Sequence, residues 1–237
     1  MALCTQSSEV KNLILRSFMA AELGHLSQKF EVVELPNAKL IYPAHSMVRH
    51  IYFPEKGLIS LIKTMKDGRT TEIGVVGIDG FTGLNSLLGI PNTDFETVVQ
   101  IPGSAYRISA SILNSAMEKQ QSLRAALMRY AHYTLSAIAQ TAACHRLHSL
   151  QERCCRWLLV AHDSAQSDAF PLTHEFLAVL LGVGRSYVST TANQLRQAGL
   201  IRYSRGWVTI TDRAGLEGSA CECYGAVRAE FNRLFRV

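Results

Sequence analysis

Thr173 to Thr211 read THEFLAVLLGVGRSYVSTTANQLRQAGLIRYSRGWVTIT. Thr173 suits the N-cap of a helix over 174–181, because its hydroxyl can accept an N–H left unpaired in the first turn. Gly182-Val183-Gly184 turns the chain. A second helix runs from Arg185 to about Ala198 and is ended by Gly199. Leu200-Ile201-Arg202-Tyr203 and Trp207-Val208-Thr209-Ile210-Thr211 then flank Ser204-Arg205-Gly206 as a β-hairpin. Two helices, a three-residue turn and a hairpin make a winged helix-turn-helix. Ala178 is small where the helices cross, and Leu177, Leu181, Val183 and Val188 fill the space between them.

The outer face of the second helix then carries Arg185, Ser186, Ser189, Thr190 and Asn193. Short polar groups with one arginine differ from the Glu/Lys mixture of an ordinary solvated helix. They fit a major groove, where arginine reaches guanine O6 and N7 and hydroxyls reach bases or phosphates. Thr173, Tyr187 and Asn193 are placed to hold phosphates. Arg202, Ser204 and Arg205 on the wing are placed against backbone outside the groove. Between Leu172 and Arg213 five arginines face only two acids, Glu175 and Asp212. That excess suits phosphate contact and makes binding salt-sensitive.

Upstream, Val10, Leu13, Ile14, Phe18, Leu23 and Leu26 recur at helical spacing over 9–30, broken around Gly24. Short β-like runs follow at 31–35, 40–42 and 51–53, separated by Pro36-Asn37, Pro43, Pro54 and Gly57. The runs Leu58–Met65 and Thr70–Val76 enclose Lys66-Asp67-Gly68-Arg69, an Asp-Gly hairpin turn. A loop, Gly77-Ile78-Asp79-Gly80-Phe81-Thr82-Gly83, precedes further strand-like sequence from Phe95 to Tyr106 around Pro102-Gly103. Residues 31–108 thus read as an all-β roll or barrel. The chain is α+β.

From 109 the period is helical. A short helix covers Ser109–Glu118, and a long one runs from Gln121 to about His148 without Gly or Pro. Between Ala125 and Ala143 its only fixed charge is Arg129. Leu127, Ala131, Leu135, Ile138 and Ala142 form one stripe; Leu123, Ala126, Tyr130, Tyr133 and Ala137 form another. A helix apolar nearly all round must be covered on more than one side. One stripe can cover the roll, and a second copy of the same helix can cover the other, making a homodimer. A further helix spans Ser149 to about His162, a polar loop covers 163–168, and a last helical segment covers Leu216–Phe235. The division expected is 1–118 for N-terminal helices and roll, 119–148 for the long helix, and 149–237 for the winged unit with its C-terminal helix.

This order resembles the Crp/Fnr superfamily of bacterial transcription regulators over roughly 30–213. The residues that carry the resemblance are Gly57-Leu58-Ile59-Ser60-Leu61 with the Asp67-Gly68 hairpin, the 77–83 loop, Leu150-Gln151-Glu152-Arg153 and Leu180-Leu181-Gly182-Val183-Gly184-Arg185. The resemblance implies a cyclic-nucleotide-binding-like roll, a homodimer on an approximately palindromic DNA duplex, and RNA polymerase as a further partner. Paired recognition helices would lie roughly 34 Å apart. The family's Arg-Glu-x-x-x-Arg recognition pattern is here Arg185-Ser186-Tyr187-Val188-Ser189-Thr190, so a different half-site is expected.

In cyclic-nucleotide-binding members a Gly-Glu-Leu loop and a following Arg-Ser or Arg-Thr hold the ribose and the phosphate. Here the loop reads Gly83-Leu84-Asn85-Ser86-Leu87-Leu88, with no acid. The strand after it reads Asp94-Phe95-Glu96-Thr97-Val98-Val99-Gln100, with no arginine. Ile138-Ala139 replace the Thr-Ser pair that meets the purine. A buried phosphate without its counter-charge is costly. The reading is therefore against cAMP or cGMP. The effector-pocket positions carried over are Gly83, Leu84, Asn85, Ser86, Thr97 and Ile138. A cyclic-nucleotide-responsive regulator with a divergent pocket and a thiol- or metal-dependent sensor stand as alternatives.

Six cysteines, at 4, 144, 154, 155, 221 and 223, make no spaced disulfide framework, and Cys4 alone cannot supply the thiolates of an N-terminal iron–sulfur cluster. Cys144, His145 and His148 lie at one helix end, with Cys154-Cys155 downstream and Cys221-Glu222-Cys223 on the final segment. The first group contains no Cys-x-x-Cys pair and reads as buried inert thiols rather than a soft metal or haem site. Cys221 and Cys223 read as a solvent-accessible or packed pair without function rather than a redox switch, so no metal site and no resident cofactor are expected. No Ser/His/Asp or paired-carboxylate arrangement supports an enzyme. The net charge of +5 is compatible with an anionic partner, and 18% charged residues hints at covered surface. No run approaches the ~20 apolar residues of a membrane span, and the first residues lack a secretory signal's pattern. A cytoplasmic protein without membrane partner is expected.

Overall fold

A computed structural model describes residues 10–21 and 23–235, without the side chains of 19–25. Cys4 and the side chain of Leu23 lie outside the described residues. The helical stretch read over 9–30, broken around Gly24, is helix α1 (Leu13–Ala21) followed by a 3₁₀ segment (Leu23–Lys29). Ile14, Leu15 and Phe18 are buried.

The roll consists of β1 (Glu31–Leu35), β2 (Leu40–Tyr42), β3 (His50–Thr64), β4 (Thr70–Val76) and β5 (Glu96–Ser109), with the one-turn helix α2 (Leu84–Leu87) between the last two. All pairings are antiparallel, in the order β1-β5-β3-β4, with β2 also on β5. The Asp67-Gly68 turn is as expected, with Gly68 at φ 84°. Pro54, Gly57 and Pro102-Gly103 are not turns between strands. They lie inside β3 and β5, where the pairing register shifts between Pro54 and Lys56 and again before Leu58. A β-bulge absorbs a residue that cannot pair, so each long strand bends without ending. At this crossing a Cβ on Gly103 would sit 2.0 Å from the Lys56 carbonyl oxygen, and one on Gly57 2.5 Å from that of Ile101. Only glycine lets the two backbones approach so closely.

Helices α3 (Ala110–Lys119) and α4 (Gln121–Leu147) follow. Twenty-seven residues give α4 a length of roughly 40 Å. Tyr130 and Tyr133 enter the roll's core, where the Tyr130 ring lies 4.1 Å from that of Phe81. The Tyr130 hydroxyl donates to the Phe81 carbonyl and accepts its N–H. The stripe read as facing the roll is therefore in place. In the other stripe Leu127 is fully buried. Met128 takes its place on the outer face.

Helix α5 (Leu150–Ala165) starts with a capping box, in which Ser149 and Glu152 satisfy each other's backbone N–H. It is longer than expected and leads to a third wing strand that the sequence did not show, β6 (Ala169–Pro171). Helices α6 (His174–Leu181) and α7 (Arg185–Gln197) and strands β7 (Ile201–Ser204) and β8 (Trp207–Ile210) stand where expected. The final segment is two helices, α8 (Arg213–Ser219) and α9 (Cys223–Phe235), with a break at 220–222. Helix α9 leaves the winged unit and lays Phe231 against Tyr133, with ring centroids 5.2 Å apart. Two main cores result. One joins roll, α1, α3, α4 and Phe231; the other joins the winged unit to Leu58 and Ile101 of the roll.

Candidate nucleic-acid interface

Thr173 caps α6 by accepting the Phe176 N–H, and Gly182 ends that helix in the left-handed region at φ 64°. A β-carbon disfavours that conformation, so glycine marks the turn. Val188, Thr191, Ala192 and Leu195 anchor one side of α7 in the core. The opposite side presents Arg185, Ser186, Tyr187, Thr190 and Asn193 to solvent, with Ser189 half-buried. The face read from sequence is thus outward, and the β7–β8 wing stands beside it. Arg205 and Gly206, both at positive φ, form the wing's tip. Arg202 and Ser204 are exposed on β7.

Five contacts restrain this surface. The Arg185 guanidinium pairs with Glu175 at 2.8 Å, both ends well exposed. Such a pair is worth about 0–1 kcal/mol, so phosphate or guanine can displace it. The Ser189 hydroxyl lies 3.0 Å from His174 Nδ1, and the His174 ring packs on Tyr203 of the wing. This fixes wing and recognition helix relative to each other. The hydroxyls of Ser189 and Thr190 also donate to carbonyls one turn back, of Arg185 and Ser186. Of the five arginines, Arg213 is committed to Asp163 and Glu217 and is not part of this face. Trp207 was not singled out from sequence, yet it is 52% exposed at the wing pair Ser204–Trp207. Its place as an outward residue of an alternating strand was the signal available.

Residues 152–218 match the Crp-like helix-turn-helix domain family. FixK2 from Bradyrhizobium japonicum superposes with a TM-score of 0.65 at 15% identity, over 81% of this chain and 98% of that one. A CRP-family transcriptional regulator from Thermus thermophilus gives 0.65 at 22%, over 81% and 99%. The chain has the Crp/Fnr regulator fold, with a Crp-like helix-turn-helix domain. The c-di-GMP-responsive global regulator CLP of Xanthomonas campestris shares this fold at a TM-score of 0.58 and 16% identity, over 84% and 98%. No curated protein matches the chain by sequence. No described helix is long and apolar enough to cross a membrane.

Within this Crp/Fnr fold the expected effector positions of the 83–86 loop and Thr97 are engaged in the roll's own packing. A Cβ at Gly83 would sit within 3 Å of Val48 and Ile51, so side chains already fill the space beside it. Asn85 braces its own loop by donating to the carbonyls of Ile90 and Asn92. Ser86 and Thr97 are buried, and Leu84 packs on the roll's core. Only Ile138 lines the large cavity, of about 580 Å³, that lies between β4, α4, α5 and α9. Its polar lining includes Glu72, Asp79, Tyr133, Arg153 and Arg156. The buried Nε atoms of both arginines have no hydrogen-bond partner among the described residues. Sequence reasoning missed this cleft because its walls come from four distant segments.

Glu72 closes the cleft where roll and winged unit meet. Its carboxylate accepts from the Ser60 hydroxyl at 2.6 Å and from the Trp157 indole N–H at 3.0 Å. Burial pushes this carboxyl up to about 8, against the opposing pull of those two bonds and of Arg156. Asp79, bonded to the Tyr133 hydroxyl at 2.6 Å, is raised by burial as well.

The cysteines separate into two sets. Cys154 and Cys155 are buried in the winged unit's core, and burial pushes the Cys155 thiol up to about 11. Such thiols stay protonated and unreactive at neutral pH. Cys144 instead meets Cys221 and Cys223, and His148 joins them; His145 does not. The grouping read from sequence, by nearness along the chain, is therefore not the one the fold makes.

Proposed function

We propose that this chain is a dimeric, sequence-specific DNA-binding regulator that acts by binding rather than by catalysis. The observation that carries the reading is the outward face of α7, with Arg185, Ser186 and Thr190 exposed beside a wing bearing Arg202 and Arg205. Dimerisation is supported by the uncovered face of α4. Met128, Ala131, Leu135, Ile138 and Ala142 alternate at spacings of three and four, the pattern that keeps an apolar seam facing a partner helix. Met128 and Leu135 are exposed in the single chain. The cleft is the place for a signal, because it touches both the roll and the seam through Ile138. A ligand there would act by favouring one packing of roll against winged unit over another.

The test is a DNA selection with sequencing, followed by binding of wild type and Arg185→Ala to the selected site and to random duplex. Loss of one bidentate guanine contact should weaken the selected complex by roughly 1–3 kcal/mol, about 5- to 150-fold, and relax one base position. Binding to random duplex should change little. Equal loss on both would make Arg185 a phosphate contact, and no selected sequence at all would overturn the reading.

A further inference from the structure

Where α4 ends and α9 begins, four ligand-bearing side chains converge. Cys144 and His148 lie one turn apart at the end of α4, Cys221 lies in the break before α9, and Cys223 is the first residue of α9. Their Sγ and ring-nitrogen atoms all lie within 4.8 Å of one another. Cys144 Sγ is 3.5 Å from Cys221 Sγ, and Cys223 Sγ is 3.5 Å from His148 Nδ1. A tetrahedral ion with sulfur ligands at about 2.3 Å and a nitrogen ligand at about 2.0 Å separates its ligands by about 3.5–3.8 Å. Two of the six separations already stand at about such an edge length, and the other four lie within 4.8 Å.

The surroundings fit the same chemistry. The three sulfurs are buried, and among the described residues no other apolar side chain joins their cluster. Three thiols with no other apolar partner in their cluster make a poor core, whereas three thiolates around a cation make a satisfied one. His148 turns Nδ1 to the sulfurs and Nε2 to the Glu222 carboxylate at 3.1 Å. A metal-bound histidine characteristically gives its second ring nitrogen to a carboxylate, which fixes its tautomer and orientation. Gln140 donates Nε2–H to Cys223 Sγ at 3.0 Å, a bond that strengthens when the sulfur is a thiolate.

We propose that Cys144, His148, Cys221 and Cys223 bind one zinc-class divalent ion, with Glu222 and Gln140 as positioning residues. Three thiol protons leave to solvent as the thiolates bind; no electron transfer is involved. Four protein ligands make the site closed, so its role is structural. His148 is also the C-cap of α4, and α5 starts immediately after it. The ion therefore ties the long helix, the entrance to the winged unit and α9 at one point. Its effect on DNA binding rests on the reading above; its presence does not.

The test uses the full chain, purified under reducing conditions without chelator. Elemental analysis should find about one zinc per chain. After removal of zinc, cobalt(II) should develop the thiolate charge-transfer and tetrahedral d–d absorption of a Cys₃His site, and zinc should abolish it. Cys223→Ser and His148→Gln should bind cobalt at least tenfold more weakly, and Glu222→Gln should lower zinc affinity about 10- to 100-fold. Cys155→Ala, on α5 outside the cluster, should bind as wild type does. The cobalt spectrum of the wild-type chain needs no variant to fold. A folded, reduced chain that takes up neither metal overturns the proposal. So do unchanged affinities in Cys223→Ser and His148→Gln, or a Cys144–Cys221 disulfide in a chain that binds no ion after reduction.

Discussion

Leu135→Asp should yield a folded single chain that sediments as a monomer and binds its DNA site at least 100-fold more weakly than wild type. Leu135 is 68% exposed in the isolated chain, so the substitution removes nothing from that chain's own core. In the proposed dimer the same side chain lies in the α4 seam. There each copy loses roughly 1.5–3 kcal/mol of apolar burial, and two aspartates must be desolvated without a partner. A monomer contacts one half-site, and losing the linked second contact costs about 10²–10⁴ in apparent affinity. Leu127→Asp is the contrasting variant. Leu127 is fully buried, so its replacement should unfold the chain rather than separate two copies. A stable Leu135→Asp dimer in analytical ultracentrifugation would refute the proposed seam.

Glu72→Gln should raise thermal stability above neutral pH and flatten its dependence on pH. The Glu72 carboxyl is raised from 4.5 to about 8 by burial, so the folded chain keeps a proton that the unfolded chain has released. Stability from this site is therefore full below about 4.5, falls as pH rises, and levels off above about 8. The whole shift is worth no more than about 5 kcal/mol. Glutamine cannot ionise, yet its oxygen can still accept the Trp157 N–H. The variant should match wild type under acidic conditions and melt several degrees higher under alkaline ones, since 1 kcal/mol moves the midpoint by about 2–4 °C at this size. The raised Asp79 carboxyl contributes a slope of the same sign to both proteins and cancels in the comparison. Parallel melting curves across the range would exclude Glu72 as the group responsible. Because Ser60 belongs to the roll and Trp157 to α5, the same measurement reports how firmly the winged unit is docked.

The amino-acid pattern alone determined the elements whose determinants are local. Thr173, Gly182, Gly199 and the Arg205-Gly206 tip act within a few residues of where they stand, and the outward face of α7 follows from helical periodicity. The Asp67-Gly68 hairpin and the length of α4 are local in the same sense. Tertiary structure alone decided what depends on contacts between distant segments. A helical wheel cannot tell Leu127 from Met128 on a helix apolar all round; the roll's position buries one and leaves the other exposed. Pro54 and Gly103 look like chain breakers until a neighbouring strand shows that a bulge accommodates them. The cleft around Glu72, the Arg185–Glu175 tether, and the meeting of Cys144 and His148 with Cys221 and Cys223 each join segments that the chain separates. Periodicity and capping record how a residue relates to its neighbours in sequence, whereas a binding site is made of residues brought together by packing.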